Sequence, residues 1–283
     1  MIHVCPLVAY GDCLVTLSLL ERLPSSAPSY QILGTPITTE VSRLLIRPLP
    51  VIEVLPHELS LYSFKAQGPM RALRDTLTFR QQALRLSAPG EQLAFEFPGR
   101  RAHWLTPAGR RTCVPVDSDQ VYADRHQMFV DLFGDVEPWI PGRRPGTVRR
   151  FLVNPCARHP QRWIAPQTVE VLCRVADQRG WAMTLLDPCG RYGAYEKHVA
   201  SYRRSISLPA AAGLLKESDL YLGPDSFFLH LAYYHGVPSF GIFLAHHLKY
   251  LTPGMREQEA FVSFEQARDP VQLEAALLRF AGG

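Results

Sequence analysis

The feature that most limits what this chain can fold into is a switch of hydrophobic period that recurs along both halves of its 283 residues. Short apolar runs of strand length, Ile2–Val8, Gln31–Leu33 and Val51–Leu55, alternate with stretches of helical spacing. These are Cys13–Leu23, with Leu14, Leu17 and Leu20 on one face, and Ile37–Ile46. Strand–helix–strand alternation of this kind predicts a parallel sheet covered by helices on both faces. The pattern is faint over residues 60–115, where Leu73–Leu86 reads as a helix and Leu93–Phe97 as an edge strand. It recovers at Val121–Phe133, an amphipathic helix closed by Gly134. Residues 137–150 then carry three prolines, two glycines and four arginines, the composition of a linker. Beyond them the alternation restarts with strands at Phe151–Asn154, Met183–Leu186, Ser205–Leu208, Leu220–Gly223 and Ser239–Phe243. Helices are expected at Pro166–Arg179, Ala194–Tyr202, Ala210–Glu217, Phe227–Tyr234 and Val271–Phe280. Two α/β domains follow, 1–142 and 143–283, the closing helix packing back on the first. In such folds ligands bind at the carboxyl ends of the strands, here in a central cleft.

Composition narrows the function classes. With 47% hydrophobic and 20% charged residues the chain can bury two cores. No run approaches the roughly 20 apolar residues of a membrane span, and the start lacks the charged and apolar regions of a signal peptide. The expected location is the cytosol, with peripheral contact at the inner face of a membrane as a further option. Six cysteines (Cys5, Cys13, Cys113, Cys156, Cys173, Cys189) show no C-x-x-C pair. They are therefore expected to be reduced, small buried residues rather than a disulfide or metal framework. The net charge of +4 comes with arginine pairs such as Arg100–Arg101 and Arg149–Arg150. A solvated basic surface accounts for them; the functional alternative is an anionic partner. No nucleic-acid motif accompanies them.

Three patches could carry chemistry. Gly11-Asp12-Cys13-Leu14-Val15-Thr16-Leu17 follows the first strand, so Asp12 stands at a helix start beside the sheet's carboxyl edge. Position alone favours a helix cap; the alternative is a general base. Asn154 to Trp163 is the first loop of the second half. Its Arg158 and Arg162 suit phosphate oxygens, and a plain basic loop is the even alternative. Leu220–Phe243 reads as strand, helix and strand, with Asp225 or Ser226 capping an apolar helix that carries His230. An anion could sit at that helix start, while His230 alone reads as a core histidine. Asp117-Ser118-Asp119 has the D-x-D form of a metal site, yet its place before a helix favours capping.

Together these patches resemble glycosyltransferase family nine, the ADP-heptose–lipopolysaccharide heptosyltransferases. The resemblance rests on Gly11-Asp12-x-Leu14-x-Thr16-Leu17, the helix Tyr122–Gly134, the Asn154–Trp163 loop and the Asp225–Ala232 block with Gly236-Val237-Pro238 and Phe240-Gly241. It implies a GT-B fold, two Rossmann-like domains, and an inverting, metal-independent sugar transfer with Asp12 as catalytic base. Gly11, Asn154, Arg158, Gln161, Arg162, Asp225, Ser226, Phe227 and His230 would bind substrate or donor. It implies no cofactor beyond a nucleotide-diphospho-sugar co-substrate, and a glycan or glycolipid acceptor, anionic or not. Two positions depart from the family pattern. Gln161 stands where a lysine is usual, and Phe227 where a glycine is usual, which narrows the space for a phosphate against the backbone. A non-catalytic sugar-nucleotide binder and a nucleotide-sugar epimerase on the same fold are the alternatives.

Overall fold

The structure, a computed structural model, describes residues 1–59, 68–139 and 142–282. It forms two compact units, Met1–Pro138 and Trp139–Gly283. The break falls at the start of the proline-rich stretch, just ahead of the expected boundary at 142. Ile140 and Pro141 of that stretch lie outside the described residues, as do residues 60–67 of the stretch where the sequence pattern is faint.

The first unit is a five-stranded parallel sheet built from β1 (Ile2–Cys5), β2 (Tyr30–Gly34), β3 (Val51–Glu53), β4 (Gln92–Phe95) and β5 (Arg111–Cys113). Their order is β3-β2-β1-β4-β5. Among the described residues the helices that accompany it are α1 (Tyr10–Leu20), α2 (Pro36–Ser42), α3 (Pro69–Leu86), α4 (Arg100–Leu105) and α5 (Val121–Phe133). The run expected as an edge strand is an inner one, with β4 pairing β1 on one side and β5 on the other. Leu93, Ala94 and Phe95 are fully buried, as a strand covered on both faces requires. Phe79 of α3 packs on Phe95, and Leu7, Leu33, Phe97 and Leu105 complete that core.

α1 begins at Tyr10, three residues ahead of the expected start, because every residue from Cys13 to Leu20 is buried and the helix carries its first turn into the strand's exit loop. Its N-cap is Ala9, so Asp12 lies inside the first turn and does not cap it. Ser118 ties the approach to α5 by hydrogen bonds to Asp124 and from the Gln120 N–H, and neither Asp117 nor Asp119 is the cap residue, which is Gln120.

The second unit is a six-stranded parallel sheet in the order β11-β10-β9-β6-β7-β8. Its strands are β6 (Arg150–Val153), β7 (Ala182–Leu186), β8 (Ser201–Arg203), β9 (Leu220–Pro224), β10 (Ser239–Phe243) and β11 (Phe261–Ser263). Its helices are α6 (Pro166–Arg179), α7 (Leu208–Glu217), α8 (Phe227–Tyr234), α9 (Pro253–Glu257) and α10 (Pro270–Ala281). The helix expected at 194–202 is a short 3-10 turn, Gly193–His198, followed by β8. The strand expected at 205–208 is the approach to α7, where the Ser207 hydroxyl accepts the Ala210 N–H. α10 packs within its own unit, its Phe280 ring 5.9 Å from that of Phe240.

Candidate functional site

Each unit gathers polar side chains at the carboxyl ends of its strands, where a parallel sheet leaves room for a ligand. In the first unit the centre is a buried arginine, Arg125 of α5. It donates to the Asp12 carboxylate at Oδ1, to the Asp12 carbonyl at 3.3 Å, and through Nε to the Glu96 carbonyl at 3.0 Å. Arg125 is 5% exposed and Asp12 is 30% exposed, so the pair is anchored from inside while one face of the carboxylate meets solvent. Burial opposes the charge on Arg125, but the neighbouring Asp12 outweighs it and raises the guanidinium further.

Beneath this pair lies Glu96, the residue after β4. Its Oε1 accepts the N–H groups of Leu7 and Val8, each at 2.7 Å, and so satisfies the loop between β1 and α1. Its Oε2 is buried with no hydrogen-bond partner among the described residues. Burial first, and then the Asp12 charge, push its carboxyl up to about 8. Glu96 is thus a neutral acid near pH 7 that fixes the loop leading into the α1 turn of Gly11 and Asp12.

In the second unit the centre is a buried carboxylate, Asp225, between β9 and α8. Arg162 donates to its Oδ2 at 2.9 Å and to its carbonyl at 3.1 Å. His247 Nδ1 lies 2.7 Å from the same Oδ2, and His230 Nε2 lies 3.5 Å from Oδ1. Burial pulls the Asp225 carboxyl upward, yet hydrogen bonds from His230 and His247 and the Arg162 charge hold it well below the usual carboxylate range. Asp225 therefore does not cap α8. The N-cap is Ser226, whose hydroxyl makes no capping bond and is buried without a partner among the described residues.

The loop after β6 divides its labour. Asn154 is 1% exposed and its Oδ1 accepts the Cys156 N–H at 3.0 Å, which folds the loop back on itself. Arg162 is turned inward to Asp225, whereas Arg158 and Gln161 are exposed. Burial and the charges of Arg162 and Arg158 lower the pKa of His159 between them. Phe227 opens α8 half-buried, its ring 5.5 Å from that of Phe228. Gly223 is required here by space: a Cβ would lie 2.3 Å from the Tyr221 hydroxyl and 3.0 Å from the Asn154 carbonyl.

The structure thus groups Gly11 and Asp12 in the first unit, and Asn154, Arg158, Gln161, Arg162, Asp225, Ser226, Phe227 and His230 in the second. Sequence reasoning missed three polar partners. Arg125 interrupts the buried face formed by Tyr122, Met128 and Phe129, and Glu96 stands alone in the apolar run Leu93–Phe97; both were signals. His247 lies after β10 and gave none.

One expectation about cysteine is corrected. Cys156 and Cys189 are joined as a disulfide, because the loops after the adjacent strands β6 and β7 meet. Cys5, Cys13 and Cys173 are buried free thiols, as anticipated.

Two successive parallel α/β units with their polar loops at the strand carboxyl ends make this a GT-B fold. E. coli heptosyltransferase WaaC with ADP is similar over 93% of this chain and 92% of its own, at a TM-score of 0.62 and 11% identity. A glycosyl transferase family 9 structure from Veillonella parvula is similar over 98% and 97%, at 0.60 and 12%. E. coli ADP-heptose LPS heptosyltransferase II is similar over 98% of each chain, at 0.56 and 12%. No family model and no curated protein sequence matches the chain. Among the described residues no helix is long and apolar enough to cross a membrane.

Proposed function

We propose that the protein is a glycosyltransferase that moves a sugar, a heptose or a similar one, from a nucleotide-diphospho-sugar to a hydroxyl of a glycan or glycolipid. The observation that carries this reading is Asp12: a carboxylate in the first turn after β1, braced from behind by buried Arg125 and open to solvent on one face. A base must present a free lone pair to the hydroxyl it deprotonates, and only one Asp12 oxygen is engaged by Arg125 through its side chain. Attack of the resulting oxygen on the anomeric carbon inverts that centre and expels the nucleoside diphosphate. The donor belongs to the second unit. Exposed Arg158 meets the growing diphosphate charge, and the positive end of the α8 dipole lies beside Asp225 and Ser226. Arg162 acts indirectly, since its guanidinium is already engaged by Asp225. In this reading protein groups rather than a metal ion stabilise the leaving group, and no further cofactor is called on. The likeness in fold to heptosyltransferase structures with ADP and with ADP-2-deoxy-2-fluoro heptose supports the donor class. Work at the cytosolic side, with peripheral contact to a membrane that holds the acceptor, belongs to the same proposal.

The second reading is a protein that binds sugar nucleotides without turning them over. Phe227 at the α8 start and the Arg162–Asp225 tie favour it, because both occupy positions a phosphate would use. Binding and turnover of a panel of nucleotide-sugars by the wild type and Asp12→Asn separate the two. Transfer requires equal binding by both proteins and turnover by the wild type alone, with a drop of about 10²–10⁴-fold in the variant. Binding without turnover in the wild type, with candidate acceptors present, leaves the binding protein as the account.

A further inference from the structure

The cluster that neither reading uses lies at the carboxyl ends of β6 and β7. Cys156 follows β6, while Asp187 and Cys189 lie in the turn after β7, and the two strands are paired in register up to Val153 and Leu185. Cys189 Sγ is 3.2 Å and Cys156 Sγ 3.8 Å from Asp187 Oδ1. The three ligand atoms all lie within 4.8 Å of one another. Asp187 is fully buried. Its Oδ2 accepts the Tyr202 hydroxyl at 2.6 Å and the Tyr192 N–H at 2.7 Å, while Oδ1, which also takes the Arg191 N–H at 3.1 Å, is aimed at both sulfurs.

In the bonded pair neither sulfur carries a hydrogen, so a carboxylate oxygen is held against two atoms that cannot donate to it. Opened to thiolates, the same three atoms form a compact S₂O set. We infer that Cys156, Cys189 and Asp187 of the reduced protein bind one thiophilic divalent cation, with zinc as its chemical type. Zinc takes thiolate at about 2.3 Å and carboxylate at about 2.0–2.2 Å in a tetrahedron, with the fourth position open to water. The hydrogen bonds to Oδ2 are the outer support that orients a ligating carboxylate. Three ligand charges against a dication leave one negative charge, and the Arg204 guanidinium packs so closely on Gly190 that a Cβ there would lie 2.9 Å from its Nε. The ion clips the two loops together beside the Arg191–Trp163 stack, whose guanidinium carbon is 5.8 Å from the ring centroid. The site is independent of the sugar-transfer reading.

The test uses the full chain reduced by a phosphine. The phosphine becomes its oxide with oxygen from water, and two electrons and two protons open the sulfur–sulfur bond to two thiols. Zinc binding then releases both protons. Zn²⁺ is titrated in competition with a chromophoric chelator. The wild type should retain one equivalent per chain, and Cys113→Ser, whose cysteine lies in the other unit, should retain it too. Cys156→Ser and Cys189→Ser should lose it, and Asp187→Asn should weaken it roughly tenfold or more. Co²⁺ in place of zinc should give a thiolate-to-cobalt charge-transfer band with tetrahedral d–d bands, a readout of the wild type that needs no variant. Failure of the reduced wild type to retain zinc, equal retention by Cys156→Ser, or a disulfide that survives the phosphine would each overturn the inference.

Discussion

Replacing Glu96 by glutamine tests how the loop beneath Asp12 is held. In the folded chain this carboxyl is pushed up to about 8 from its ordinary 4.5, first by burial and then by the Asp12 charge. It therefore binds a proton in the folded state and releases it on unfolding at any pH between those values. The stability tied to it is fully present below about 4.5 and is lost as the pH rises to about 8. Each pH unit of that window is worth about 1.4 kcal/mol, so the whole window amounts to roughly 5 kcal/mol. About 2 kcal/mol of it falls between pH 6 and pH 8. Glutamine cannot ionise, yet its carbonyl oxygen can take the Leu7 and Val8 N–H groups while its amide fills the place of Oε2. Urea unfolding at pH 6, 7 and 8, followed by a probe in the first unit, reads the difference directly. The wild type should lose about 2 kcal/mol more than Glu96→Gln over that range. Curves that run parallel would mean that Glu96 is ionised or solvated in the folded chain, and the account of a neutral acid under the loop would be wrong.

Four further outcomes follow from the second unit. Arg158→Ala should weaken nucleotide-diphosphate binding about 10–100-fold, the loss of one or two charge-assisted contacts; Arg162→Ala should lower both that binding and the urea midpoint, because it strips Asp225 of a partner. Asp225 has its pKa lowered below 3.8, so its contribution to stability is present above that value and lost as the pH falls through the folded one. Between pH 5 and pH 3 the wild type should thus lose more stability than Asp225→Asn, and urea unfolding at the two values checks it. Gly223→Ala places a methyl group 2.3 Å from the Tyr221 hydroxyl. It should cost about 1–3 kcal/mol of stability, seen as a lower midpoint of thermal unfolding.

The elements legible in the sequence were those whose burial wrote a clean period. Val121–Phe133, Pro166–Arg179, Phe227–Tyr234 and Ser239–Phe243 have the bounds their patterns predict. Errors arose where local pattern and tertiary burial part company. Leu93–Phe97 is a short apolar run, and nothing in a short run says how many neighbours a strand will have; only the pairing of β4 with both β1 and β5 settles it. Residues 193–202 lack a continuous apolar face, and the sheet edge takes the last of them as β8.

For the site, the limit has a different origin. A motif shows which residues stand on a loop, not which of them are already spent on each other. Asp225 and Arg162 read as two independent ligand groups, yet they satisfy one another, and His247 joins them from 22 residues away. By position alone Asp12 reads as a cap more readily than as a base. In the structure the N-cap is Ala9, and Arg125, 113 residues further on, engages one oxygen of the Asp12 carboxylate. The same holds for the cysteines: a scan for C-x-x-C finds nothing, because the pair is made by two strands in register and a separation of 33 residues. In a parallel sheet every strand delivers its next loop to the same edge, so partners at that edge are set by strand order. In the second unit that order is β9-β6-β7, and it brings together the loops carrying Asp225, Arg162 with Cys156, and Asp187 with Cys189. Chemistry assembled that way becomes readable only once the strand order is known.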